Sequence, residues 1–141
     1  MDLKMSAEEL NAFMHEAFAQ AARDFTVEHA SMRDITVRLH VDERHLRPGE
    51  TVSGPAIFAL ADVAVYLSVL AMIGPEALAV TTSASIDFMR KPAAGVDLIA
   101  KAKLLKLGKK LAVGDVLIYS QGRSEPVARA SLTYSIPPQR S

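Results

Sequence analysis

The apolar stretch over residues 52–73, VSGPAIFALADVAVYLSVLAMI, constrains the fold more than any other part of this chain. It is apolar around its whole circumference and contains one charged residue, Asp62. A helix that is apolar on every face is a buried helix, so the stretch predicts a central core helix over about residues 55–72. Pro55 suits the first helical position, and the Gly74-Pro75 pair suits the helix end.

The carboxylate of Asp62 needs an explanation, because an ionised group is costly to bury without a partner. One interpretation is a functional acid, and the other is a structural bond to a neighbouring strand or cation. The stretch is also nearly long enough to cross a membrane, which takes about 20 apolar residues. Its central acid and its alanine-rich content argue against insertion, so we expect no membrane span.

Length and composition narrow the class of protein. The chain has 141 residues, which fits one domain over residues 1–141 with a substantial core. Lysine plus arginine and aspartate plus glutamate number 16 each, and this balance argues against nucleic-acid binding. The absence of cysteine excludes disulfides and thiolate zinc sites. No signal-peptide pattern opens the chain, so we expect a cytoplasmic protein.

An amphipathic helix is predicted near the N-terminus, over about residues 7–22. Ser6 and Glu9 form a capping-box pattern at its start. Apolar side chains then recur at helical spacing up to Ala21, which predicts a helix that lies on an apolar surface.

The remaining segments alternate between apolar and polar residues and predict five strands. They cover residues 34–42, 79–88, 97–105, 110–120 and 126–136. In the second of these, strict alternation places Thr82 with Ala84 and Ile86, and Thr81 on the opposite side. Gly114 predicts a bulge or a close backbone approach. Short connections favour an antiparallel meander, and one apolar helix against such a sheet gives an α+β fold.

Two groups along the central helix have catalytic potential. The N–H of Gly54 should be an unpaired donor at the positive helix end, where it can hold a developing oxyanion. Asp62 lies eight residues further on, which is about 12 Å along the helix axis. One copy therefore cannot bring both groups to one carbonyl, and cooperation would require a second copy.

Four sequence segments together resemble the PaaI-type hotdog-fold acyl-CoA thioesterases, over about residues 35–137. They are S53-G54-P55, L60-A61-D62, I86-D87-F88-M89-R90-K91-P92 and V127-A128-R129-A130. The resemblance implies a hotdog fold, in which a curved antiparallel sheet of about five to six strands wraps a long central helix. It also implies a homodimer formed through that sheet, often doubled into a homotetramer.

The resemblance further implies hydrolysis of an acyl-CoA thioester, without a cofactor because coenzyme A is part of the substrate. Gly54 matches the glycine that polarises the thioester carbonyl. Asp62 matches the acid of the other subunit that acts as general base or nucleophile, and the residues do not separate these two routes. The chain departs from the family at the helix start, where Ser53-Gly54-Pro55 replaces His-Gly-Gly or Asn-Gly-Gly. Pro55 has no N–H, so the Gly54 N–H remains as the donor.

That departure leaves an alternative open, a non-catalytic module that binds acyl-CoA. A hydratase is less favoured, because such hotdog enzymes usually carry a histidine on the helix and none lies in residues 52–73. No nucleophile elbow, phosphate loop or dinucleotide fingerprint is present.

The substrate-binding candidates are Ser53, Tyr66, Arg90 and Lys91. Tyr66 follows Asp62 by one helical turn and would narrow an acyl pocket, bond to the carboxylate or simply fill the core. Arg90 and Lys91 would hold coenzyme A phosphates, and lysines of the later strands would either join them or solvate the sheet. We expect no metal, because the spacing of the residues from His40 to His45 fits no known ligand pattern.

Overall fold

The computed structural model describes residues 3–138, so both ends of the predicted 1–141 domain lie outside the described residues. These residues contain three α-helices: α1 (Ala7–Ala17), α2 (Ala19–Ala22) and α3 (Gly54–Ile73). Eight strands accompany them: β1 (Phe25–Ser31), β2 (Asp34–Leu39), β3 (Leu46–Arg47), β4 (Thr51–Val52), β5 (Val80–Phe88), β6 (Leu98–Leu107), β7 (Leu111–Ser120) and β8 (Pro126–Ser135). A 3-10 turn covers Glu43–His45.

Helix α3 is the central helix that the apolar stretch predicts. Its first turn is capped by Ser53, whose side chain accepts from the Ala56 N–H at 3.3 Å, and it ends at Gly74, whose φ of +97° favours glycine. Within residues 3–138 it is the one helix long and apolar enough to cross a membrane. However, 67% of its most apolar window is buried in the fold, which identifies it as a core helix.

A six-stranded antiparallel sheet wraps this helix in the order β1-β2-β6-β7-β8-β5. The predicted meander is confirmed for β6, β7 and β8, which are consecutive neighbours. It is wrong for β5, which pairs with β8 and not with β6. The link of nine residues between β5 and β6 is long enough to pass over β7 and β8, and β5 therefore lies at one edge of the sheet.

Strand β1 is absent from the five predicted strands because its alternation is interrupted. A β-bulge between Val27 and His29 shifts the register against β2, so the inward side of the strand changes phase after Val27. A bulge adds one residue to one strand, so apolar and polar residues no longer alternate strictly along β1, and the pattern does not predict it. The two-residue pair β3–β4 was also not predicted.

The N-terminal helix forms with the predicted capping box. The Ser6 N–H donates to Glu9 Oε1 at 3.0 Å, and the Glu9 N–H donates to Ser6 Oγ at 3.2 Å. The helix is not continuous over residues 7–22, because Phe18 leaves helical geometry with φ −138° and ψ 57° and separates α1 from α2.

Gly114 lies at a close contact between helix α3 and strand β7. A Cβ on Gly114 would lie 2.9 Å from Val65 Cγ1, which is too close for a normal contact. The opposite strand has a register shift between Leu104 and Lys106. The extra residue of this bulge is Leu105 on β6, so of the two alternatives predicted for Gly114 the close approach occurs at Gly114 itself, where glycine leaves room for the Val65 side chain.

Candidate active site

The carboxylate of Asp62 lies on a partly exposed side of α3, which it shares with Pro55 and Ala59. Two hydroxyl groups donate to the same oxygen of this carboxylate. Tyr134 Oη is 2.6 Å from Asp62 Oδ1, and Thr81 Oγ1 is 2.5 Å from it. Asp62 therefore has hydrogen-bond partners on neighbouring strands, and within residues 3–138 no cation pairs with it.

A bulge in β5 brings Thr81 to the helix side of the sheet. The register between β5 and β8 shifts between Thr81 and Ser83, so Thr81 lies opposite Tyr134 and Ala84 lies opposite Leu132. Both partners on β8 are buried against α3. The strict alternation that predicts Thr81 on the outer side is therefore wrong, because Thr82 is the extra residue.

Tyr134 was not among the predicted site residues. It is 3% exposed, and its hydroxyl also lies 3.1 Å from the main-chain oxygen of Asp62. Burial, followed by the bond to Asp62, raises the pKa of Tyr134 well above its usual value, so its phenol stays protonated and donates. The signal in the sequence was a tyrosine at an inward position of β8, among Ala130, Leu132 and Ile136.

Tyr66 makes no hydrogen bond to Asp62. Its hydroxyl is buried and finds no partner within residues 3–138, and burial raises the pKa of Tyr66 to about 12. The ring packs between Phe18 and Tyr134, with centroid distances of 5.8 and 5.9 Å. Tyr66 thus lines the side of α3 next to Asp62, and its contact with an acyl group remains a prediction.

The start of α3 leaves one backbone donor free in its first turn. The Ala56 N–H bonds to Ser53 Oγ, the Ile57 N–H bonds to the Ser53 carbonyl at 3.1 Å, and Pro55 has no N–H. Within the described part of the chain, the Gly54 N–H has no acceptor. The structure thus places an unpaired donor at the positive end of the helix, as predicted. The Ser53 side chain serves as the helix cap.

The basic candidates lie at the exit of β5. The Arg90 guanidinium donates to the Pro126 carbonyl at 2.9 Å and pairs with Glu125 at 3.2 Å. Lys91 is exposed beside it. Together with Arg123, which was not predicted, these residues line a depression of about 220 Å³. By contrast, Lys101 and Lys103 alternate with buried Ala100 and Ala102 and point outward from β6.

Gly54 and Asp62 do not meet within one chain. They are separated by two turns of the rigid helix α3, or about 12 Å of axis. The phenyl ring of Phe88 lies next to Gly54, 3.5 Å from where a Cβ would be, although 54% of Phe88 is exposed. The site of a single chain is therefore open on the side where edge strand β5 runs.

Comparison with known proteins agrees with this architecture. A crystal structure from Silicibacter sp. TM1040, described as a candidate thioesterase, is 57% identical, with a TM-score of 0.92 over 98% of this chain and 96% of that one. The PaaI protein from the phenylacetic acid degradation operon of E. coli is 26% identical, with a TM-score of 0.79 over 93% of both chains.

A third structure is a thioesterase-like protein from Streptococcus pneumoniae TIGR4 that was crystallised with coenzyme A. It is 24% identical, with a TM-score of 0.74 over 94% of this chain and 99% of that one, and it supports the fold alone. The resemblance to PaaI-type hotdog proteins and the hotdog fold are thereby confirmed.

The sequence profile of the thioesterase superfamily matches residues 49–127, which is more than half of the chain. The matched region contains the helix start at Gly54, the acid Asp62 and the strand residue Thr81. With a long helix wrapped by a six-stranded antiparallel sheet, the chain belongs to the thioesterase superfamily.

Proposed function

We propose that the protein hydrolyses acyl-CoA thioesters to a free acid and coenzyme A, with Asp62 as the general base or nucleophile. Membership of the thioesterase superfamily supports acyl-thioester hydrolysis in general. The observation that carries the specific proposal is the environment of Asp62. Its carboxylate accepts two short hydrogen bonds and lies on the open side of α3, where a substrate can reach it.

The two routes differ in which atom attacks the thioester carbonyl. In the first, Asp62 takes a proton from water while the water oxygen attacks the carbonyl carbon. In the second, the carboxylate attacks directly, coenzyme A leaves as the thiolate, and water then hydrolyses the mixed anhydride. In both routes the oxyanion accepts from the Gly54 N–H, and the departing thiolate takes up a proton.

A homodimer completes the site in this proposal, because Gly54 and Asp62 of one chain are too far apart to share a carbonyl. Strand β5 supports this arrangement. It is nine residues long, within residues 3–138 it borders β8 alone, and its Val80 is 55% exposed. An unpaired strand edge is a template for pairing with another chain, and pairing there would bring a second α3 next to Asp62.

Recognition of coenzyme A is proposed for the basic cluster at the end of β5. Arg90, Lys91 and Arg123 border one depression, and such side chains bind phosphate groups well. The S. pneumoniae protein that was crystallised with coenzyme A shares the fold of this chain, and the charges around the depression carry the proposal.

The test is release of free thiol from short, medium, long and aromatic acyl-CoAs by wild type, Asp62→Asn and Asp115→Asn. Asp115 is the matched control, since it is an exposed acid on β7, away from the β5 edge. We expect Asp62→Asn to lose roughly 100-fold or more of kcat and Asp115→Asn to keep near wild-type activity.

Failure of the wild type to release thiol from every substrate would overturn the proposal. If calorimetry then showed that acyl-CoA still binds, the non-catalytic binding module would be favoured. Its supporting observation is the Ser53-Gly54-Pro55 start, which offers a single free donor.

A further inference from the structure

We propose that Tyr134 is a positioning residue for hydrolysis, whose hydroxyl holds Asp62 Oδ1 together with Thr81 so that Oδ2 is the oxygen that reacts. This inference rests on the proposed function and assigns different roles to the two carboxylate oxygens of Asp62. It also gives a role to a buried tyrosine on β8, the last strand of the sheet.

The asymmetry of the hydrogen bonds carries the argument. Both donors bond to Oδ1, at 2.6 Å from Tyr134 and 2.5 Å from Thr81, and Oδ2 accepts no hydrogen bond from residues 3–138. The two oxygens of a free carboxylate are equivalent, whereas hydrogen bonds to one of them hold negative charge there and fix the plane of the group. Only Oδ2 keeps lone pairs available for a water proton or a carbonyl carbon.

The position of Tyr134 is fixed from several directions. Strand pairing sets Tyr134 directly opposite Thr81 at the β5 bulge, and its ring packs against Tyr66 at a centroid distance of 5.9 Å. The hydroxyl lies near the main-chain oxygen of Asp62 as well as its carboxylate. A donor held this rigidly restricts rotation of the Asp62 side chain, which is what a preorganised catalytic group requires.

Removal of this donor has a consequence that differs from a general loss of stability. The carboxylate gains freedom to rotate, which lowers the fraction of encounters with correct geometry and so lowers kcat. This effect does not weaken the binding of the substrate itself, so KM should change little.

The experiment compares Tyr134→Phe with Tyr119→Phe, which is a matched control. Tyr119 lies on the neighbouring strand β7, with the Lys101 ammonium 5.4 Å from the centre of its ring. It is not one of the hydrogen-bond donors to Asp62, which are Tyr134 and Thr81. We expect Tyr134→Phe to lose roughly 10- to 100-fold of kcat with KM nearly unchanged. Tyr119→Phe should match wild type in both kcat and KM.

Thr81→Val provides a second variant, because it removes the other hydroxyl on an edge strand and keeps the branched shape. We expect a smaller loss of kcat in the same direction. Circular dichroism at the assay temperature gives a readout without turnover, and both variants should be as fully folded there as wild type.

The two proposals fail in different ways. If wild type is active and Tyr134→Phe matches Tyr119→Phe in both kcat and KM, the positioning role is overturned while thioester hydrolysis stands. If wild type releases no thiol from any acyl-CoA, the proposed function is overturned, and the role of Tyr134 in hydrolysis is overturned with it.

Discussion

Tyr66 and Tyr134 show how differently two buried tyrosines of the same cluster can be used. Tyr134 donates to Asp62 at 2.6 Å, whereas the Tyr66 hydroxyl is buried without a partner in the described chain. A buried hydroxyl without a hydrogen bond costs about 1–3 kcal/mol. We therefore expect Tyr66→Phe to leave the free energy of unfolding unchanged or to raise it by up to about 1 kcal/mol.

Urea denaturation of Tyr66→Phe beside wild type measures this change. A loss of more than about 1 kcal/mol would contradict the prediction and show that the hydroxyl has a stabilising partner in solution. The same variant tests whether Tyr66 contacts substrate, because a contact through its hydroxyl would raise KM for some acyl-CoAs and not for others.

The site shows at residue level what sequence patterns reveal. Asp62 can be identified as a site candidate from the sequence because it is the single charged residue in an apolar stretch. Gly54 can be identified because it lies at the start of the helix. Thr81 is not, because the β5 bulge reverses its side of the sheet and no local pattern predicts that bulge. Tyr134 is 72 residues from Asp62 in sequence, and strand pairing alone brings the two together.

At the scale of elements, the 3-10 turn Glu43–His45 holds the start of α3 in place. The Asp42 N–H donates to His45 Nδ1 at 2.8 Å, and the Ser53 N–H donates to the His45 carbonyl at 2.8 Å. Ser53 is the N-cap of α3. The turn therefore fixes the helix end that presents the Gly54 N–H.

His45 makes this turn sensitive to pH. Burial, and then the positive charge of Arg44, lowers the pKa of His45 below 6.5. Its neutral form therefore contributes stability that is complete above pH 6.5 and is lost as the pH falls through the lower pKa of the folded state. Protonation also removes the Nδ1 acceptor of the Asp42 N–H, and Asp24 at 3.6 Å offsets part of the cost.

We expect the thermal unfolding midpoint of wild type to fall more steeply below pH 6.5 than that of His45→Asn, whose amide oxygen can accept from the Asp42 N–H without titrating. The measurement is the unfolding midpoint from pH 8 to pH 5 for both proteins. Parallel curves would show that His45 does not contribute to the acid sensitivity.

The strands differ in how far alternation predicts them. Strands β6, β7 and β8 lie in the middle of the sheet, bury one face on α3 and were predicted to within two residues at each end. The extent of β5 was predicted equally well, but its bulge reverses the side of Thr81, and β1 was missed because its bulge lies in the middle of the strand. The register shifts that involve β6, β7 and β8 lie near strand ends. Alternation predicts where a strand begins and ends but not which strand it pairs with, so the pairing of β5 with the distant strand β8 was not predicted.

At the scale of the whole molecule, one chain encloses α3 on the side of the sheet and leaves it open near β5. The apolar Phe88 and Val80 remain more than half exposed there, next to the helix start and the Asp62 carboxylate. A second copy paired along β5 would cover these residues and bring its own helix start to the acid. The proposed reaction centre then contains Gly54 of one protomer and Asp62 of the other.

This arrangement predicts that two inactive variants restore activity in a mixed dimer. Asp62→Asn removes the acid, and Gly54→Asp places a negative charge where the oxyanion forms. The helix dipole stabilises an acidic side chain at the N-terminus of a helix. A Cβ at position 54 would also have an ordinary 3.5 Å contact with Phe88, so the Gly54→Asp variant should fold. In a dimer of one chain of each kind, one site keeps both wild-type residues and the other site loses both.

Co-expression of the two variants with different tags should therefore yield about one quarter of wild-type kcat, since half of randomly formed dimers are mixed and each has one intact site. Purification through both tags should raise this to about one half. Two differently tagged Asp62→Asn chains are the control and should stay inactive. If the mixed dimer is as inactive as this control, then Gly54 and Asp62 do not act across the interface, and a different donor must hold the oxyanion near Asp62 within each chain.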